Sequence, residues 1–184
     1  MEIYVIGAGT LGRLVVDIVE SHNQFRIAGF FDDGYPELKS VYGYKVVGKI
    51  DNMETRRVRN LAIGLGEPKL RKLFFENRSA LGYKIPKLVH HSAVLSKHCL
   101  IEDGVIIGPN SSVLSGSTIK KGSCILSHVN INQDVTVGPY CLVGAGAVVG
   151  NNARIGEGCH IGLAAHIELN QVVEPWSYIN DYFK

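Results

Sequence analysis

The sequence predicts two units in one chain: a small α/β domain over residues 1–86 and a parallel β-helix with a C-terminal cap over residues 87–184. Three observations predict this. There are 21 glycines against one Trp and two Met, and those of the second half are regularly spaced. An aliphatic residue recurs every six positions from Val89 to Ile179 without a gap. At the other end, a strand-like run opens directly into a glycine-rich turn and then into helical periodicity.

The chain has 184 residues, 46% of them hydrophobic and 20% charged, with a formal net charge of +2. That composition builds a core and excludes a disordered chain. Acids and bases are interspersed, so no basic stripe points to nucleic acid or a lipid surface. No apolar run approaches the ~18 residues of a membrane helix, and Met1-Glu2-Ile3-Tyr4-Val5-Ile6-Gly7 carries no basic leader. The expectation is a soluble protein of the cytoplasm, with no nucleic-acid or membrane partner. The four cysteines form no C-x-x-C pair, so neither a zinc site nor a disulfide framework is expected, and no metal is assigned. Cys99, Cys141 and Cys159 fall at inward positions of the repeat, and Cys124 at an outward one.

Glu2–Ile6 is the first strand. Gly7-Ala8-Gly9-Thr10-Leu11-Gly12 follows, and Leu11, Leu14, Val15, Ile18 and Val19 continue at helical spacing. Arg26–Phe31 is a second strand, ending on Asp32 and Asp33. The glycine spacing is that of a dinucleotide-binding turn, with acids ~20 positions on, where a ribose hydroxyl is usually held. Such a turn exposes backbone N–H groups at a helix N-terminus to a phosphate. Gly7, Gly9, Thr10, Asp32 and Asp33 are the candidate ligand contacts. The alternative is a turn that only joins strand to helix. A nicotinamide dinucleotide is disfavoured, because so short a unit holds only half of the sheet such a ligand occupies. Further strands are expected at Lys45–Val47 and Asn60–Ile63, and a helix over Lys69–Leu81.

The second half keeps time in sixes. From Val89 through Leu95, Ile101 and Ile107 to Ile179, all sixteen stops are Val, Ile or Leu. Two positions before most anchors stands a small or β-branched residue such as Ala93, Ser111 or Val129. A period of six fits neither helix nor plain strand. It fits a short strand plus a corner, three of which close a triangular coil whose anchors point inward. Glycine follows the anchor at 108, 138, 144, 150, 156 and 162, where backbone freedom at the corner is the expected reason. Trp176, Tyr178 and Phe183, where the pattern fades, are expected to cap the open end.

Together, Ile6-Gly7-Ala8-Gly9-Thr10-Leu11-Gly12, Gly29-Phe30-Phe31-Asp32-Asp33, His91-Ser92-Ala93-Val94 and the hexads resemble one family across nearly the whole chain. It is that of the hexapeptide-repeat sugar acyltransferases, including the sialic-acid O-acetyltransferase type and the UDP-4-amino-sugar N-acetyltransferases of bacterial glycan synthesis. The resemblance implies a Rossmann-like N-terminal domain followed by a left-handed parallel β-helix of about five coils. It also implies a nucleotide-sugar on the first domain, acetyl-CoA along the second, and a homotrimer with its sites between neighbouring helices. Gly144, Gly146, Gly162 and Ala164 would then border the acyl-CoA groove.

The family's catalytic corner carries a His followed by Asp, two residues after an anchor. Here the anchor is Ile131, and Asn132-Gln133-Asp134 follows, so Gln133 stands where the resemblance places the base. A second family His is replaced by Leu142. Glutamine has no accessible pKa and cannot take a proton near neutrality. Three readings stay open. An amine acceptor can attack without a strong base, with Asp134 and Gln133 positioning it. Another imidazole can serve, His160 first among His128 and His166. Or the chain is a non-catalytic ligand-binding or regulatory subunit.

Overall fold

The computed structural model describes residues 1–55 and 59–180. These fall into two compact units, Met1–Leu88 and Val89–Lys184.

The first unit is a sheet with helices. It comprises β1 (Glu2–Ile6), α1 (Thr10–Glu20), β2 (Arg26–Phe31), β3 (Ser40–Val41), β4 (Tyr44–Gly48), a 3₁₀ turn (Ile50–Thr55), β5 (Leu61–Ile63) and α2 (Pro68–Ala80). Its strand order is β3-β4-β2-β1-β5, parallel except for the β3–β4 hairpin. The chain moves outward from β1 to β2 and β4, then returns to place β5 on the other side of β1. The strand order therefore reverses at β1/β5, where open α/β sheets form a crevice beyond the strand ends. Helix α1 buries Leu11, Val15, Ile18 and Val19, the stripe its period predicts.

Strand β4 covers the expected Lys45–Val47, but β3 with its hairpin turn and the 3₁₀ turn escaped the sequence reading. The β3–β4 hairpin turns on Tyr42 and Gly43, both at positive φ (48° and 84°). That is the pair of conformations a two-residue hairpin needs, but a tyrosine in the first position hides the signal. The 3₁₀ turn has no apolar period to announce it.

The second unit is a three-walled left-handed β-helix. Among the described residues, two-residue strands run from Leu88–Val89 to Tyr178–Ile179. They stack into walls of five, five and six. The first wall carries the anchors Leu95, Val113, Ile131, Val149 and Ile167, the second Ile101 to Val173, and the third Val89 to Ile179. Every anchor from Ile101 to Val173 is buried, each contributing about 1.5–3 kcal/mol of apolar burial.

The inward serines do more than fill space. Ser111, Ser117 and Ser123 donate Oγ–H to the carbonyls of Leu126, Asn132 and Gly138 at 2.6–2.7 Å. They accept the N–H of Val129, Val135 and Cys141 at 3.0–3.1 Å. Each thereby satisfies a corner carbonyl and an inward N–H of the coil above. Cys141 and Cys159 reach the carbonyls of Gly156 and Glu174 in the same way, at 3.0 and 3.1 Å. Cys124 departs from expectation: it is fully buried although it precedes its anchor, flanked on its own face by Ile106 and Leu142.

The corner glycines also work differently from the sequence reading. The left-handed residue is the third after each anchor, without exception from Gly104 to Trp176. Non-glycines adopt it too, as in His128 (58°), Asp134 (59°) and Ala164 (54°). Glycine directly after the anchor never does. It is needed because coils pass too closely: a Cβ on Gly138 would lie 2.6 Å from the Gly156 carbonyl carbon, and one on Gly144 2.6 Å from that of Gly162. Near the end of the helix, Trp176 lies over Gly158 and Tyr178 packs edge-on to His160 at 4.7 Å. Both rings thus pack on the outside of the preceding coil. Phe183 lies outside the described residues.

Candidate functional site

The glycine turn of the first unit divides its three glycines by task. Gly7 has φ +87°, a conformation that other residues rarely adopt. Gly12 abuts the Gly7 carbonyl, and Gly64 at the end of β5 would bring a Cβ within 2.6 Å of the Gly12 Cα. These two allow helix and strands to close on one another. Gly9 has neither reason. Its φ is −72°, and a Cβ there would meet nothing within 4 Å. The missing side chain leaves room for something other than this chain.

Gly9 also precedes an open helix end. No side chain caps α1, and its first turn holds no acid. Its first backbone bond is from Arg13 N–H to the Gly9 carbonyl, leaving the N–H groups of Thr10, Leu11 and Gly12 directed out of the helix end. Helix α2 contrasts with it: Glu67 caps its own helix, accepting from Lys69 N–H at 3.0 Å and Leu70 N–H at 2.6 Å.

Asp32 stands at this turn, as its spacing predicts, and is bound to it. Its Oδ2 accepts the Ala8 N–H and its Oδ1 the Gly34 N–H, both at 2.8 Å. Asp33 Oδ1 accepts the Ile50 N–H at 3.2 Å, fixing the 3₁₀ turn. Both carboxylates thus have work inside the fold, which spacing alone did not reveal. Sequence reasoning also passed over the β5–α2 loop as a wall of the same crevice. Leu65 touches Gly7, and Gly66, exposed and with open space at its Cβ position, repeats the circumstance of Gly9.

On the β-helix, Gln133 and Asp134 are exposed on the corner between the first and second walls. The Asp134 side chain lies over Gly116 of the coil below, and no imidazole bonds it. Gly144, Gly146, Gly162 and Ala164 occupy the corner between the third and first walls. Their N–H groups already donate to Ile161, Ser127, Ile179 and Ala145 carbonyls at 2.7–3.0 Å. The donors left outward belong to the second residue after the anchor, among them Gln133, Ala145 and Leu163. Pro109, Pro139 and Pro175 occupy that same position, which tolerates them because the stacking of coils needs no N–H there, although Lys121 gives its own to Glu102 Oε2 at 2.8 Å. His160 lies on the third wall between Leu142 and Tyr178. That wall is opposite the Asp134 corner, so one chain does not bring Asp134 and His160 together. His128 lies 3.5 Å from the Asn110 amide, and His166 Nε2 3.7 Å from Glu168.

Among the described residues, no three His, Cys, Asp or Glu side chains could hold a metal ion. No helix among the described residues is long and apolar enough to cross a membrane.

Solved structures share this architecture. PerB from Caulobacter crescentus, in complex with CoA and GDP-perosamine, is 20% identical, with 98% of this chain and 89% of that one covered and a TM-score of 0.75. The acetyltransferase domain of PglB from Neisseria gonorrhoeae, in complex with acetyl coenzyme A, is 22% identical over 94% and 95%, with a TM-score of 0.73. WeeI from Acinetobacter baumannii AYE is 18% identical over 100% and 99%, with a TM-score of 0.77. At these identities the likeness establishes the fold. Residues 2–77 match the PglD N-terminal domain, and residues 84–175, half of the chain, match the GMPPB C-terminal domain. The chain therefore belongs to the GMPPB C-terminal domain family, its β-helix following a unit that matches the PglD N-terminal domain.

Proposed function

We propose that this protein is an acyl-CoA-dependent acyltransferase, an N-acetyltransferase acting on a nucleotide-linked amino sugar in bacterial glycan biosynthesis. The observation that carries the reading is Gly9: a glycine that neither φ nor packing requires, beside an uncapped helix end, in the two-part fold that holds CoA and GDP-perosamine in PerB. The nucleotide-sugar lies against Gly7, Gly9 and Thr10, with Asp32 and Asp33 holding the turn. Acetyl-CoA, as cosubstrate, runs along the corner of Gly144, Gly146, Gly162 and Ala164.

The chemistry follows from what the corner lacks. The sugar amine attacks the thioester carbonyl, a C–N bond forms, and the carbonyl oxygen becomes an oxyanion held by outward backbone N–H groups. Collapse breaks the C–S bond, and the departing thiolate receives the proton the amine loses. Gln133 supplies hydrogen bonds but no base, and Asp134 orients the amine. Positioning can supply much of the acceleration, whereas a general base adds about 10²–10⁴-fold. Because Asp134 and His160 lie on opposite sides of one prism, a site using both draws them from two copies. This supports sites between neighbouring copies, in the homotrimer that the family resemblance implies.

The test is thiol release from acetyl-CoA in the presence of a panel of nucleotide-linked amino sugars. Turnover on an amino sugar supports the reading. Turnover on a sugar hydroxyl with none on the matching amine overturns the N-acetyl assignment. Gln133 and Leu142, in place of the two family histidines, favour a second reading: a ligand-binding or regulatory subunit. Tight binding of either ligand without thiol release would establish it.

A further inference from the structure

Arg71 lies in the first helical turns of α2, where an arginine normally reaches solvent. Here its side chain is 1% exposed, and Nη1 donates to the carbonyls of Leu65 at 2.7 Å and Gly66 at 2.9 Å. Burying a guanidinium is costly unless its hydrogen bonds are made. The chain has placed this one against two successive peptides of a single loop.

The loop belongs to the crevice. β1 and β5 run parallel with Ile6 opposite Ile63, so the loops after them leave the sheet side by side. They touch: a Cβ on Gly7 would lie 2.9 Å from Leu65 Cδ2, and one on Gly64 3.1 Å from the Gly7 carbonyl oxygen.

A trans peptide sends its C=O and N–H in opposite directions. With the Leu65 and Gly66 carbonyls turned onto the buried guanidinium, the N–H groups of Gly66 and Glu67 are turned away from it together. Both residues are exposed, and neither N–H finds an acceptor among the described residues. The Glu67 carboxylate does not compete, being committed to the Lys69 and Leu70 N–H groups. Gly66 adds no side chain to obstruct an approaching oxygen.

We infer that Arg71 is a positioning residue that holds the β5–α2 loop as the second wall of the nucleotide crevice, so that the Gly66 and Glu67 N–H groups receive diphosphate oxygens of a nucleotide-sugar. This rests on the reading of the glycine turn as the nucleotide-sugar site. It adds a donor pair, and the buried residue that aims it, to the contacts assigned there.

Calorimetric titration of UDP and GDP into the full chain, wild type and Arg71→Met, tests it, with acetyl-CoA titrated in parallel. Methionine keeps the buried length and removes the donors. The expected result is nucleoside diphosphate binding weakened about tenfold or more, with acetyl-CoA affinity unchanged, and partial recovery in Arg71→Lys. Because Arg71→Met can also disturb folding, amide exchange is followed in the wild type: added UDP or GDP is expected to slow exchange at Gly66 and Glu67. Unchanged diphosphate affinity in a folded Arg71→Met protein, or unprotected Gly66 and Glu67 amides in a nucleotide-saturated wild type, overturns the proposal while leaving the glycine-turn reading intact. Failure of the wild type to bind either nucleotide overturns both.

Discussion

The carboxylate of Asp32 accepts the backbone N–H of Ala8 at 2.8 Å across twenty-four positions of sequence, tying the end of β2 to the glycine turn after β1. Its second oxygen takes the Gly34 N–H at the same distance. Asparagine offers one acceptor oxygen where aspartate offers two, and turns an amide donor toward the other N–H. Asp32→Asn is therefore expected to lose about 1–3 kcal/mol of stability, read as a shifted urea midpoint. Nucleotide-sugar affinity is expected to fall with it.

The three glycines of the turn are expected to separate by phenotype. Gly9→Ala meets open space and an ordinary φ, so it should melt like the wild type while raising KM for the nucleotide-sugar. Gly12→Ala places its methyl against the Gly7 carbonyl and should cost about 1–3 kcal/mol or more by overpacking. Thermal melts beside KM measurements distinguish them. A Gly9→Ala protein with unchanged KM would remove the main support for a ligand at this turn.

Gln133→His restores an imidazole beside Asp134. If this corner is the reacting one, kcat is expected to rise, by up to about 10²–10⁴-fold, and its pH profile to gain a limb near the usual histidine range of ~6.5. An unchanged profile would place the chemistry elsewhere.

Tyr44 donates its phenol hydrogen to Glu20 Oε1 at 2.8 Å. That bond chiefly, then burial and the Glu20 charge, raises its pKa above 10.0. The stability this bond gives is present below pH 10 and is lost as pH rises through the raised value. Ultraviolet titration should show a late-titrating tyrosine that Glu20→Gln brings back toward 10.

Cys141→Ser is expected to be nearly neutral. The thiol already donates to the Gly156 carbonyl at 3.0 Å, the bond that serine hydroxyls make at 111, 117 and 123. Cys141→Val, which leaves that carbonyl without its donor, should lower the melting temperature more.

The prism was legible because its signal is periodic. Anchors such as Ile107 and Ile131 recur in phase with a geometry that buries each of them. Residues whose role depends on the next coil were not. Gly144 reads as a flexible corner until Gly162 is seen 2.6 Å from its missing Cβ, a neighbour eighteen positions away. The glycine turn was legible from its spacing, but the division among Gly7, Gly9 and Gly12 needed the packing around each. Arg71 was invisible for a further reason: in a helix that also carries Lys69 and Lys72, nothing local marks one cation as inward. Asp134 and His160 were separate candidates, one from the corner motif and one as an alternative imidazole, and only the three-walled topology shows which sides they occupy.

At most corners the second residue after the anchor spends no N–H on the prism, Lys121, which donates to Glu102, being an exception, and three such positions are already proline. Extra segments could therefore be spliced in at these points without unpicking any rung. A short epitope inserted at Asp103, on the corner between the second and third walls, which carries none of the proposed glycine, Gln133 or Asp134 contacts, should be displayed on an intact scaffold. The same latitude would let relatives remodel their specificity by lengthening corners while the stack beneath stays unaltered.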